Sequence, residues 1–329
     1  MAKQRTTVAK FAIAACLGLV ATLAQAAGFR SIDVPADASG PALKGAVWTP
    51  CAAPAREFAV GPYTLAGVRD CPIPGDRLGL IVVSHGFGGN YLGHYDTAEA
   101  LADGGFVVVA LNHPDDTTSN KDPIANAAAL VDRPTDVKRL IDFMLGAWPD
   151  AARIDPQRIG FFGFSRGGYT GLVVAGATPD FQHAHVRCPD PKAPMCAPPR
   201  AGQPGPAWTH DSRVRAVVIA DPLSVFPTQD SLKDVKVPLQ LWASERGGDG
   251  VLPEDVAAVA RDLPVRPDFR VVPGTAHFAF LAPCQPWLAR LVPPICTDDA
   301  GFDRVAFHQR FDAEVLAYFR AHLAPGSKP

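Results

Sequence analysis

The sequence predicts an α/β architecture, a mostly parallel central sheet flanked by helices. Two observations carry that expectation. Short runs of apolar residues recur along the 329-residue chain, and stretches of helical spacing separate them. The apolar runs are 78–86, 105–113, 158–165, 213–221, 237–245 and 268–274. Each is apolar along most of its length, as a strand covered on both faces must be. The helical stretches are 95–103, 135–147, 166–176, 253–262 and 303–323. Thr135 and Asp136, ahead of "VKRLIDFML", offer an N-cap and a first-turn acid for the second of these. No repeat of solenoid or propeller period is present, so 27–329 reads as one domain.

The first 26 residues read as an export signal. Lys3, Arg5 and Lys10 precede an apolar stretch, Phe11 to Leu23, and Ala24-Gln25-Ala26 makes a small-x-small cleavage site. The stretch is shorter than the roughly 18 residues that a membrane span requires. The mature chain is therefore expected to be exported, periplasmic or secreted, without an integral span. An uncleaved anchor and lipid attachment at Cys16 are the alternatives. The full chain carries a formal charge of −2, and loss of the three leader cations takes it to about −5. That charge, with no basic cluster, argues against nucleic acid as a partner.

Six cysteines follow the leader: Cys51, Cys71, Cys188, Cys196, Cys284 and Cys296. An even number in an exported chain suggests disulfides, and their grouping suggests the sequential pairs 51–71, 188–196 and 284–296. A cysteine metal site is not expected, because no Cys-x-x-Cys occurs and no histidine sits at ligand spacing beside them. The second pair falls within residues 178–212, a segment dense in Pro, Gly and Ala. It is too long for an ordinary helix-to-strand connection. Since it follows the helical stretch beginning at 166, it is the sequence's candidate for a substrate-shaping lid; a solvated insertion is the plainer alternative.

The sharpest local signal is Gly163-Phe164-Ser165-Arg166-Gly167, between an apolar run and a helical stretch. A serine at such a corner projects its hydroxyl above the strand ends, beside the partial positive charge of a helix N-terminus. The corner needs residues without side chains two places before and after it, and Gly163 and Gly167 stand there. Upstream, "SHGFGGN" (84–90) follows another strand and provides a glycine-rich turn. The backbone N–H groups of Phe87 and Arg166 are the expected oxyanion donors. Of nine histidines, His277 follows the last strand, at the edge from which Ser165 emerges, and is the expected base. The acid is less determined. Asp249 lies in a glycine-flanked loop able to approach the imidazole and is preferred; Asp221 is the runner-up and Glu245 the third choice.

These stretches, with "IADPLSVF", "AHFAFLAPC" and "GFDRVAFH", resemble the α/β-hydrolase superfamily over nearly all of the mature chain. More narrowly the sequence is similar to secreted bacterial dienelactone hydrolase-like proteins and to platelet-activating-factor acetylhydrolases. The resemblance implies an α/β-hydrolase fold. It places the acid at Asp221 on the acetylhydrolase pattern and at Asp249 on the dienelactone hydrolase-like one. A cysteine nucleophile is usual in true dienelactone hydrolases; Ser165 departs from it and favours general ester chemistry. The expectation is thus a serine hydrolase of carboxylic esters, acting through an acyl-enzyme on a small or lipid-like ester, with no cofactor or metal. A silent binding module and an amidase or peptidase are the rival readings.

Overall fold

A computed structural model describes residues 26–118, 123–185 and 207–326. Ten strands form a single sheet: β1 (Gly28–Val34), β2 (Leu43–Thr49), β3 (Arg56–Val60), β4 (Tyr63–Arg69), β5 (Leu78–Ser84), β6 (Val107–Leu111), β7 (Ile154–Phe164), β8 (Val214–Ala220), β9 (Leu239–Ser244) and β10 (Asp268–Val272). Their spatial order is β10-β9-β8-β7-β5-β6-β2-β1-β4-β3. From β10 to β6 every pairing is parallel. The sheet is completed by β2, antiparallel to β6, and then by β1, β4 and β3. This is the α/β-hydrolase arrangement, a mostly parallel sheet between helical layers.

Eight α-helices accompany it among the described residues: α1 (Tyr95–Asp103), α2 (Pro123–Leu145), α3 (Arg166–Val174), α4 (Gln229–Leu232), α5 (Pro253–Asp262), α6 (Pro286–Leu291), α7 (Pro293–Cys296) and α8 (Arg304–His322). The period-2 geometry of the strands divides the core in two. On β7, Phe161 faces the layer of α2, α3 and α5, where it joins Leu140, Leu172 and Val256. Its neighbour Phe162 faces α1 and α8, with Leu101, Phe311 and Phe319. Burying each phenylalanine contributes about 1.5–3 kcal/mol, so the central strands are anchored from both sides.

Two sequence expectations are corrected here. The second helix does not begin at Thr135: α2 starts at Pro123 and carries Pro134 inside it. Thr135 bonds Thr209 through its hydroxyl at 2.6 Å, and Asp136 is buried against His113. The four strands before residue 70 had no counterpart in the apolar runs. β3 and β4 alternate between exposed and covered positions, which gives them no continuous apolar signature. Cys51–Cys71 and Cys284–Cys296 are disulfide-bonded; Cys188 and Cys196 lie outside the described residues.

The contact between α1 and α8 encloses several carboxylates. Thr97 donates from Oγ1 to Asp312 at 2.6 Å, and His308 lies between Asp96, 2.7 Å away, and the Ala279 carbonyl at 2.9 Å. Burial pushes Glu99 up to about 8 and Asp312 up to about 7, with neighbouring carboxylates adding to both. A carboxyl raised in the fold favours the native state below its ordinary pKa, and that advantage is lost as pH rises through the folded value. Glu99→Gln, which keeps the shape of the neutral acid, should therefore gain stability over the parent as pH rises from 5 to 8, on the order of 1 kcal/mol or more. Urea unfolding at several pH values measures this; a pH-independent difference would contradict it.

Candidate active site

Every candidate residue stands at the carboxyl end of a parallel strand, where open α/β sheets place their ligands. Phe87 follows β5, Ser165 follows β7, Asp221 follows β8, Asp249 follows β9, and His277 follows β10. Ser165 occupies the corner between β7 and α3 with φ 56°, a left-handed conformation that is unusual for a residue with a side chain. Its backbone is held on several sides. Its N–H donates to Ala220 at 3.0 Å, and its carbonyl accepts from Tyr169 at 3.0 Å and Leu223 at 3.1 Å. The flanking glycines have a steric reason: a Cβ on Gly163 would collide with the Gly167 backbone, and one on Gly167 with the Ser84 carbonyl.

Ser165 and His277 face one another. Ser165 Oγ lies 3.0 Å from His277 Nε2, and the opposite ring nitrogen, Nδ1, lies 3.1 Å from Asp221 Oδ2. All three side chains are buried. The imidazole packs on the Phe164 ring, with centroids 4.6 Å apart, and the His277 amide donates to the Gly247 carbonyl at 2.9 Å. Such a line of groups can take a proton from the serine hydroxyl and hold the resulting imidazolium.

The carboxylate at the imidazole is that of Asp221, the runner-up, and not Asp249. Ser244 decides this. Its amide donates to Asp221 Oδ1 at 2.7 Å and its hydroxyl to Oδ2 at 2.5 Å, which turns the carboxylate toward His277. Asp249 is exposed at the cavity edge with φ 50°. Its loop holds the His277 backbone instead, the Gly247 carbonyl accepting from the His277 amide. Glu245 accepts from the Gly274 amide at 2.8 Å.

Sequence reading missed a buried polar network behind the turns that carry Phe87 and Arg166. Arg133 on α2, with no exposed surface, donates to Asp116 at 2.6 Å, Thr170 Oγ1 at 3.0 Å and Ser84 Oγ at 3.2 Å, and also to the His85 carbonyl. Asp116 accepts in addition from the Gly88 amide at 3.1 Å and from Arg166 Nη1 at 3.1 Å. Burial alone would raise the Asp116 carboxyl, but the Arg133 and Arg166 guanidiniums outweigh it and hold it below the usual range. Arg166 also lies over the Phe87 ring, 4.2 Å from its centroid. One carboxylate thus ties together the turn after β5 and the start of α3. The signal was "NHPDD" at 112–116, four polar residues around a proline directly after an apolar strand.

A second serine–histidine–aspartate line lies nearby. Ser84 Oγ is 2.9 Å from His113 Nε2, and His113 Nδ1 is 3.0 Å from Asp136 Oδ2. Burial and then the Arg133 charge hold the His113 imidazole well below its ordinary value, while burial raises Asp136 to about 7. Ser84 already accepts from Arg133, and none of the three lines the cavity. It matches the Ser165 line in distances but lacks access.

Access at Ser165 comes from a cavity of about 750 Å³. Its walls are largely apolar and include Leu92, Tyr95, Phe278, Leu281, Leu288 and Ile295. The described ends of the expected lid, 178–185 and 207–212, do not line it; its middle, 186–206, lies outside the described residues. Among the described residues, Asp96, His308 and Asp312 alone are grouped closely enough for a metal ion. Those atoms are already engaged in the contact between α1 and α8. No helix among the described residues is long and apolar enough to cross a membrane.

No protein-family model matches the chain, and no curated protein is significantly similar to it. Among solved structures, it is similar to a ferulic acid esterase from Streptomyces cinnamoneus, with 19% identity and a TM-score of 0.65. The similarity covers 94% of this chain and 93% of that one. At that identity the likeness establishes a shared fold.

The buried network makes a stability prediction. Arg133→Met and Asp116→Ala each strand a buried charge and should cost about 3–5 kcal/mol. The double variant should cost less than the sum, because neither charge is then left alone. Chemical denaturation of the four proteins tests it, and simple additivity would show that the two residues are not coupled.

Proposed function

We propose that this protein is an exported serine hydrolase that cleaves carboxylic esters. One observation carries the reading: of two serine–histidine–aspartate lines of nearly equal geometry among the described residues, the one containing Ser165 lines the cavity of about 750 Å³ and the one containing Ser84 does not. In this reading Ser165 is the nucleophile, His277 the base and Asp221 the group that fixes the imidazole tautomer. His277 accepts the Ser165 proton as Oγ attacks the ester carbonyl, and then donates it to the leaving alcohol. Water, deprotonated by the same imidazole, releases the acid and restores the serine. The amides of Phe87 and Arg166 receive the oxyanion, with the N-terminus of α3 adding its partial positive charge.

Three features favour this reading. Ser165 holds a strained backbone that a structural serine would not need. The site has the polar anchors and apolar walls of a small-molecule pocket. The structurally similar protein is a ferulic acid esterase, which supports an ester as the substrate class. The leader and the two disulfides agree with export, since oxidised cysteines persist outside the reducing cytosol.

Ser165→Ala should lower hydrolysis of a p-nitrophenyl ester by at least ~10⁴-fold, and an undiminished rate would refute the mechanism. A fluorophosphonate probe followed by peptide mass spectrometry should modify Ser165 and leave Ser84 untouched. The acid can be separated by rate. Asp221→Asn should lower kcat by about 10³–10⁴-fold, and Asp249→Asn by less than ~10-fold. The reverse order would return the role to Asp249.

A further inference from the structure

We infer that residues 283–296 are a stapled roof over the Ser165 cavity, whose apolar underside selects esters carrying an extended apolar group. The inference rests on the ester-hydrolase reading and names its substrate class. The segment contains α6 and α7, and neither helix has a buried residue of its own. It therefore does not owe its place to a core. It is closed on itself by Cys284–Cys296 and fastened at both ends.

At the near end, the Gln285 carboxamide binds one residue of β4 twice. Its Oε1 accepts from the Thr64 amide at 2.9 Å, and its Nε2 donates to the Thr64 carbonyl at 2.6 Å. Beside this clamp, Trp287 meets Tyr63 edge-to-face with centroids 5.0 Å apart. At the far end, Arg304 of α8 donates to the Ile295 carbonyl at 3.0 Å and pairs with Asp298 at 2.7 Å.

The underside has a regular spacing. Leu288, Val292 and Ile295 stand at i, i+4 and i+7, are half-buried, and line the cavity, whereas Leu291 between them is 71% exposed. Facing them are Leu92, Tyr95, Phe164 and Phe278. A roof whose apolar side chains meet a cavity instead of a core completes their burial only when an apolar ligand enters. An acetyl group, with one methyl, leaves most of about 750 Å³ unused. Each methylene buried favours the larger ester by about fourfold, so three of them give ~60-fold. The same apolar chemistry can sit on the acyl or the alcohol side of the scissile bond.

The test has two arms, p-nitrophenyl acetate through octanoate and methyl through octyl acetate. In the parent, kcat/KM should rise by ~30-fold or more along at least one arm, and that arm identifies the side that enters the cavity. Leu288→Trp and Ile295→Trp fill the space under the roof. Each should reduce that rise, read as the ratio of kcat/KM between the longest and shortest esters of the arm, at least ~10-fold. Thermal unfolding verifies that the variants are folded, and two positions guard against one failing. A flat response in both arms, or a rise unchanged in both tryptophan variants, overturns the inference. Calorimetric titration of octanoic and acetic acids into Ser165→Ala separates this from failure of the hydrolase reading. Preferential octanoic acid binding that is lost in Ser165→Ala/Leu288→Trp supports the roof even if no ester is turned over, and equal weak binding of both acids counts against it.

Discussion

The guanidinium of Arg133, wholly enclosed and shared among α2, α3, the turn after β5 and the loop after β6, is the constraint on which the site's arrangement depends. Removing a charge from water costs several kcal/mol unless its donors are satisfied. Here Asp116 neutralises it and oxygens of Thr170, Ser84 and His85 complete its hydrogen bonds. Because the acceptors belong to three segments, the end of β5, the loop after β6 and α3, the charge is satisfied only when those segments are in register. Asp116 passes the constraint on, through Gly88 and Arg166, to the two turns proposed to receive the oxyanion. A rigid polar bracket behind the site thus does what the loops in front of it cannot do alone.

The parts of this arrangement visible in the sequence were those with a continuous signature. β5 to β9 are buried on both faces over most of their length because helices cover them twice, so their runs stood out; β10, expected from 268–274 as a buried strand, lies at the sheet edge and is largely exposed. β3 and β4 are covered on one side only, and their mixed composition hid them. Ser165 and His277 were legible from position, each following a strand at the same edge. The carboxylate that meets the His277 imidazole was not, since Asp221 and Asp249 both follow strands and both adopt positive φ. What separates them is a contact between distant residues, the hydroxyl and amide of Ser244 turning one carboxylate inward. Proline-rich composition drew attention to 178–212, while the segment that lines the cavity, 283–296, registered only as a disulfide loop.

Ser84, His113 and Asp136 show how little three hydrogen-bonded side chains say by themselves. Their spacing agrees with that of Ser165, His277 and Asp221 to within about 0.1 Å. Yet Ser84 sits within the end of a strand, wholly buried, with an arginine donating to its oxygen, and it does not line the cavity. The difference lies in backbone and surroundings: one serine is on a sharp corner over a cavity, the other on a regular strand against a guanidinium.

The left-handed backbone at Ser165 has a bearing on how this chain can change over time. Glycine would occupy that corner without steric penalty, whereas any side chain there costs on the order of 1–3 kcal/mol. A lineage under pressure for thermal robustness alone would drift to glycine at this point and lose nothing in its architecture. Under the proposed role of Ser165, a hydroxymethyl group at the corner is therefore a concession of durability to chemistry, written into a single dihedral angle.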